Sequence, residues 1–167
     1  YEVRTCHDTE RLFVFGAPRL ERNGEPVDLG LRKALALCIY LAVTRQPHSR
    51  DTLATLFWPE HDQREARASL RRTLPNVILT NADTVAVAPD APFWVDAADF
   101  EHLVGAGEPQ AALDLYRDDF LAGFTLPDSP AFDEWQFFER ERFRQQFADL
   151  LAVHVEASEH TIAGLVE

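Results

Sequence analysis

From Phe57 to Leu74 the chain reads FWPEHDQREARASLRRTL, and this stretch limits the fold more than any other. Pro59 breaks the helix before it, Asp62 is a good N-cap, and the residues that follow have helical spacing. At 100° per residue, Arg64, Arg71 and Arg72 fall within about a third of the helix circumference. Ala68 lies between them and Arg67 on the border, while Ala66, Leu70, Thr73 and Leu74 lie on the opposite side. Such a helix needs a packed layer behind its apolar face. Its front carries four arginines offset only by Glu65. A solvated face on an ordinary surface helix is one reading. A DNA recognition helix is the other, because it needs a buried anchor and forked cations for phosphates and guanine edges.

The net charge of −12 over 167 residues normally argues against nucleic acid. The charge is unevenly placed, however. Residues 1–100 hold 12 Lys/Arg and 14 Asp/Glu, a balance of −2. Residues 101–167 hold 4 and 14, a balance of −10. The arginine face therefore belongs to a nearly neutral segment, and the two segments are expected to meet different partners. No apolar run is long enough to span a membrane, and the start, YEVRTCHDTERLF, is too polar for a signal peptide. The chain contains no Met, initiator included, so it reads as a piece of a longer protein. Cys6 and Cys38 have no metal or redox spacing, and Cys38 sits in an apolar helical run as a core residue. A reducing, cytoplasmic setting is expected.

The order of elements follows from turn and cap signals. Leu12 to Phe15 (LFVF) is a strand stopped by Gly16, and Pro18 to Arg22 is a second. Asn23-Gly24 marks a tight hairpin turn, and Glu25 to Leu29 is a third short strand. Leu31 to Val43 is a largely buried helix. Ser49 caps a second helix, which runs to about Trp58 with Leu53, Leu56 and Phe57 inward. The arginine helix follows, and Pro75 ends or kinks it. Thr84 to Ala88 and Phe93 to Asp96 alternate like strands and are expected to pair as a hairpin through Pro89–Pro92. This order is an α+β winged helix with an N-terminal antiparallel sheet and a C-terminal hairpin wing, over residues 1–97. Residues 98–167 read as an all-α, tetratricopeptide-like domain: a short helix ended by Gly105 and Gly107, Pro109 to Arg117, an aromatic loop, then a long helix capped by Ser129-Pro130. Phe132, Trp135, Phe138 and Phe143 recur along that helix to about His154, and after Ala157 no clear pattern remains.

Four strings in this order, RLFVFGAPRLERNGEPVDLGLRKALALCIYLA, FWPEHDQREARASLRRTL, TVAVAPDAPFWVD and ALDLYRDDFLAGFTLPDSPAFDEWQFFERERFR, resemble bacterial transcriptional activators of the SARP type. Those join an OmpR/PhoB-like winged helix to a bacterial transcriptional activator domain (BTAD). The resemblance spans about residues 11–155. It implies sequence-specific binding to double-stranded DNA, usually at direct repeats in promoters, with contact to RNA polymerase and further domains of the same protein as possible partners. The helix from Gln63 to Leu74 would match the recognition helix, the Trp58–Asp62 loop the polymerase-touching segment, and the Thr84–Val95 hairpin the wing. Family members usually continue the recognition helix further; here Pro75 and a short join depart from that pattern.

Arg64, Arg67, Arg71 and Arg72 are the leading candidates for DNA contact, and Ser49 and Arg50 at a helix start could hold a phosphate. Trp58, Glu60 and His61 are candidates for polymerase contact, although Trp58 can equally close the core at its helix end. The six histidines form no ligand set, His48 and His61 reading as loop residues, so no metal is expected. No Gly-rich phosphate loop or Ser/His/Asp spacing is present, so neither a cofactor nor an enzymatic role is expected. The aromatic stripe from Phe120 to Phe147 reads as packing. The competing functional reading is a protein-interaction module: a winged helix that no longer binds DNA, with an acidic helical lobe that docks a partner.

Overall fold

In the computed structural model, residues 9–74, 79–80, 83–87 and 93–164 are described. β1 (Glu10–Phe13), β2 (Arg19–Arg22) and β3 (Glu25–Pro26) form the expected antiparallel meander. Asn23 and Gly24 both take positive φ, 53° and 86°, as a two-residue turn matched to strand twist requires. Leu12 on β1 lies opposite Leu20 on β2, and both are buried. β3 is shorter than the pattern predicts, although Val27 N–H still donates to Leu20 O at 2.8 Å just beyond it.

α1 (Arg32–Thr44) buries Ala34, Ala36, Leu37, Cys38, Ile39, Leu41 and Ala42, which is more than one face. Burial pushes the Cys38 thiol up to about 12, with the Glu10 carboxylate adding to the effect. Arg45 closes α1 in the left-handed region and returns its N–H to Leu41 O. β4 (His48–Ser49) leads directly into α2 (Arg50–Phe57), and a short turn connects that to α3 (Gln63–Thr73). His48 is therefore not a loop residue. It is buried in β4, where its ring lies 2.8 Å from Thr44 Oγ1 and against Tyr40, and desolvation lowers its pKa.

β5 (Leu79–Thr80) and β6 (Thr84–Ala86) pair antiparallel, and β6 also pairs with β4. β7 (Phe93–Val95) joins the first sheet instead, running parallel to β1 in the order β3-β2-β1-β7. This corrects the expected wing. Thr84–Val95 is not one hairpin; the described hairpin is β5–β6, and the FWVD strand closes the first sheet. The reason lies in β7's burial pattern: Val95 meets Leu12 in the core, a place that a hairpin with β6 would deny it. Three helices between two small sheets make a winged-helix-like arrangement. Pro75, Val77 and the Pro89–Pro92 join lie outside the described residues.

α4 (Asp96–Ala106) starts without a loop after β7 and is closed by Gly107 at φ 74°. The expected division between residues 97 and 98 falls inside this helix. α5 (Pro109–Leu115) and α6 (Pro130–Gly164) complete the helical part. α6 runs further than its sequence pattern suggests, through the segment after Ala157. The Ser129 hydroxyl does not cap it. That hydroxyl donates to Leu56 O at 2.6 Å, and only the Ser129 carbonyl meets the first turn. Phe132 and Phe143 are buried as expected, but Phe138 is 62% exposed beside Phe137. One contiguous apolar cluster joins α1, α2, α3, Leu12 of β1 with Val14 and Phe15 after it, α4 and α6.

Phe15 sits at the centre of that cluster, with ring centroids 5.4 Å from Phe100, 4.7 Å from Tyr116 and 5.1 Å from Phe143. Its backbone is fixed by Asp96. The buried carboxylate accepts from Val14 N–H at 2.9 Å, Phe15 N–H at 3.1 Å and Ala97 N–H at 2.8 Å. Burial raises the Asp96 pKa, and these backbone donors pull against the shift. Asp96→Ala would remove the acceptor of three buried N–H groups, those of Val14, Phe15 and Ala97, at about 1–3 kcal/mol for each one left unsatisfied. Chemical denaturation should show a loss of about 3 kcal/mol, with Asp96→Asn, which keeps one acceptor, falling between the variant and the parent.

Candidate nucleic-acid interface

The interface is built on the α2–α3 pair. Ser49 Oγ accepts from Thr52 N–H at 3.0 Å and so starts α2. Asp62 Oδ1 accepts from Glu65 N–H at 2.9 Å and so starts α3. Leu74 ends α3 with an extended ψ of 115°, the conformation that a residue before proline prefers. Ala66, Ser69, Leu70 and Thr73 are buried against the rest of the domain. The predicted rotation of the helix is therefore the observed one: Arg64, Arg67, Arg71 and Arg72 are all exposed.

The four arginines differ in what holds them. Among the described residues, the side chains of Arg64 and Arg71 have no ion-pair or hydrogen-bond partner. Arg72 Nη2 donates to Ser69 Oγ at 3.1 Å, which orients the guanidinium without neutralising it. Arg67 makes a two-pronged ion pair with Asp51 in the first turn of α2. The Arg67 guanidinium, with help from Gln63, holds the Asp51 carboxyl below its usual range, and Asp51 raises the Arg67 pKa in return. Both groups are exposed, so the pair is a weak tether between helices rather than a source of stability. Nothing in the sequence pattern marks this pairing, because the partners sit 16 residues apart on different helices.

Ser49 and Arg50 are less available than the sequence implies. Ser49 Oγ is shared between Thr52 N–H and Thr52 Oγ1, and the Arg50 N–H donates to Asp83 O at 3.1 Å. The first backbone donor of α2 is thus already used by the β5–β6 hairpin region. The Asp51–Arg67 pair does bring the first turn of α2 beside the middle of α3. In the loop that follows α2, the three candidates separate. Trp58 is buried at 8% exposure, packed on Phe57 and beneath the Lys33 ammonium, so it is not an exposed anchor. An indole has too much apolar area to leave in water when a core lies beneath it. Glu60 and His61 are exposed, as expected. Among the described residues, no cluster of His, Cys, Asp or Glu could hold a metal ion, and no helix is long and apolar enough to cross a membrane.

No protein-family model matches the chain, and no curated relative does. Among solved structures, EmbR from Mycobacterium tuberculosis, determined in complex with a low-affinity phosphopeptide, shares the fold. The TM-score is 0.63 over 92% of this chain, at 20% sequence identity. The chain spans 48% of that protein's length.

The rotation of α3 yields a test on stability alone. Leu70→Ala should lower unfolding free energy by about 2–5 kcal/mol, because the side chain is fully buried. Arg71→Ala should change it by less than about 0.5 kcal/mol, as for other exposed positions without a structural partner. Thermal melts of both variants check the pair, and a large loss for Arg71→Ala would mean that its stem packs on the domain.

Proposed function

We propose that the chain is the DNA-binding and helical part of a SARP-type transcriptional regulator, and that α3 reads duplex DNA. The observation that carries this is the α3 surface: an apolar back sunk in the core and two arginines, Arg64 and Arg71, with no carboxylate partner among the described residues. The fold shared with EmbR, a SARP-family regulator, is in keeping with the resemblance in the sequence. In this reading Arg64 and Arg71 make the principal contacts, Arg72 is held in a fixed orientation by Ser69, and Arg67 reaches phosphate only by exchanging its bond to Asp51. The β5–β6 hairpin takes the role of the wing. The helical lobe, α4 to α6, is the BTAD-like part with tetratricopeptide-like stacking, and Glu60 and His61 supply the polymerase contact expected of the α2–α3 loop.

Binding should be salt-sensitive, with log affinity falling against log salt by about 0.9 for each phosphate neutralised. Mobility shifts over promoter fragments in rising salt measure this slope. Arg71→Ala should cost about 1–3 kcal/mol and relax preference at one position if Arg71 reads a base, or weaken all fragments alike if it meets phosphate. Failure to bind any fragment from the protein's own operons at micromolar protein would favour the interaction-module reading. The loop is tested apart from DNA affinity. Glu60→Ala with His61→Ala should leave binding unchanged and lower transcription from a cognate promoter. If transcription persists at the parent level, polymerase contact lies elsewhere, with the acidic helical lobe next in line.

A further inference from the structure

The C-terminal end of α2 leaves carbonyls that no helical N–H reaches, as every helix does. Trp58 N–H returns to Ala54 O at 2.9 Å and closes the last turn. The last two carbonyls of α2, those of Leu56 and Phe57, are taken from outside the helix. Ser129 Oγ, at the entrance to α6, donates to Leu56 O at 2.6 Å. Lys33 Nζ, on α1, donates to Phe57 O at 2.6 Å.

Lys33 has two further neighbours. Its ammonium pairs with Asp128 Oδ2 at 2.8 Å and lies 5.1 Å from the centre of the Trp58 ring. Next to it, Arg32 Nη2 donates to Thr125 O at 2.8 Å, and its guanidinium covers Phe124. The 124–129 segment of the helical lobe is thus seated on the place where α2 turns into α3. The turn itself is short and stiffened by Pro59. His61 N–H donates back to Trp58 O at 3.2 Å. Only residues 58–62 separate the end of α2 from the start of α3.

We infer that Lys33 is a positioning residue, which makes the setting of the arginine helix depend on the docking of residues 124–129. The Asp128 carboxylate holds the ammonium over Phe57 O, and the ammonium holds the end of α2. This inference rests on the DNA-binding reading of α3 for its functional consequence, though not for its mechanical part. The competing account is that Lys33–Asp128 is a surface ion pair of little consequence.

Asp128→Asn separates the two accounts, because they predict opposite signs. Asp128 is 65% exposed in its side chain, so the variant should fold normally. Removing a negative charge favours approach to a polyanion, and a bystander ion pair therefore predicts equal or tighter DNA binding. Coupling predicts about fivefold weaker binding, the lower end of typical coupling between sites. The salt slope should stay unchanged, since no arginine of α3 is touched. Amide hydrogen exchange on the 167-residue chain provides the second measurement. The N–H groups of Trp58 and His61 should exchange several-fold faster in Asp128→Asn, and Asp128→Glu should restore both readouts. Unchanged exchange overturns the inference. Faster exchange with equal or tighter DNA binding also overturns it, because the end of α2 would then move without affecting α3. If the parent chain binds no DNA, the DNA-binding reading fails by itself, and the exchange result alone decides whether the lobe holds the turn.

Discussion

Buried backbone between residues 14 and 16 is the constraint on which the molecule turns. β1 enters the core and stops pairing as a regular strand, so each of its polar groups there needs another partner. The Asp96 carboxylate takes the N–H groups of Val14 and Phe15. The loop before α6 takes three more: Leu121 N–H donates to Val14 O at 2.8 Å, Ala122 N–H to Gly16 O at 3.0 Å, and Gly16 N–H to Asp119 O at 3.0 Å. Phe15 can then sit among Phe100, Tyr116 and Phe143. A strand from the first sheet thus becomes the surface on which the helical lobe condenses, and the winged-helix-like part and the lobe share one packed interior.

Against that shared interior, much of the local structure was legible in the sequence. The Asn23-Gly24 turn, the Ser49 and Asp62 caps, the buried run of α1 and the rotation of α3 each depend on residues close in the chain. The wing was not legible. Thr84–Ala86 and Phe93–Val95 both alternate, and alternation states that a strand has two faces without naming its neighbour. Val95 found Leu12, 83 residues away by number, and that pairing is decided by the core. Trp58 shows the same limit: a tryptophan after a helix looks alike whether it closes a core or meets a partner. Ser129 read as a cap because of Pro130, yet its hydroxyl was taken by a carbonyl on α2 that only the folded chain brings near.

The candidate interface divides along the same line. Which arginines face outward followed from a period of 3.6, which is local. What each one meets did not. Arg67 carries the same charge as Arg64 in the sequence, but Asp51 opposes it in the fold. Ser49 and Arg50 sit at a helix start, but the hairpin region uses the backbone donor that would have faced an anion. Helix-end arguments assume that the end is open, and packing decides whether it is.

Charge placement explains how an acidic chain can still present one face to a polyanion. In the helical lobe two of the four arginines each meet two carboxylates: Arg142 pairs with Glu101 and Glu139, and Arg144 pairs with Asp119 and Glu141. Asp119 is held below its usual range by Arg144 for this reason. With 14 Asp/Glu against 4 Lys/Arg over residues 101–167, the lobe keeps a surplus of carboxylates, so its surface repels a polyanion at short range. At physiological salt that repulsion fades within about 8 Å, so carboxylates of the lobe farther than that from the arginines of α3 are largely screened there. On α3 the balance is reversed, with Arg64 and Arg71 unopposed among the described residues. The acidic total and the basic face are therefore not in conflict. The first restricts which surface a polyanion can approach, and the second supplies that surface with groups that can hold it.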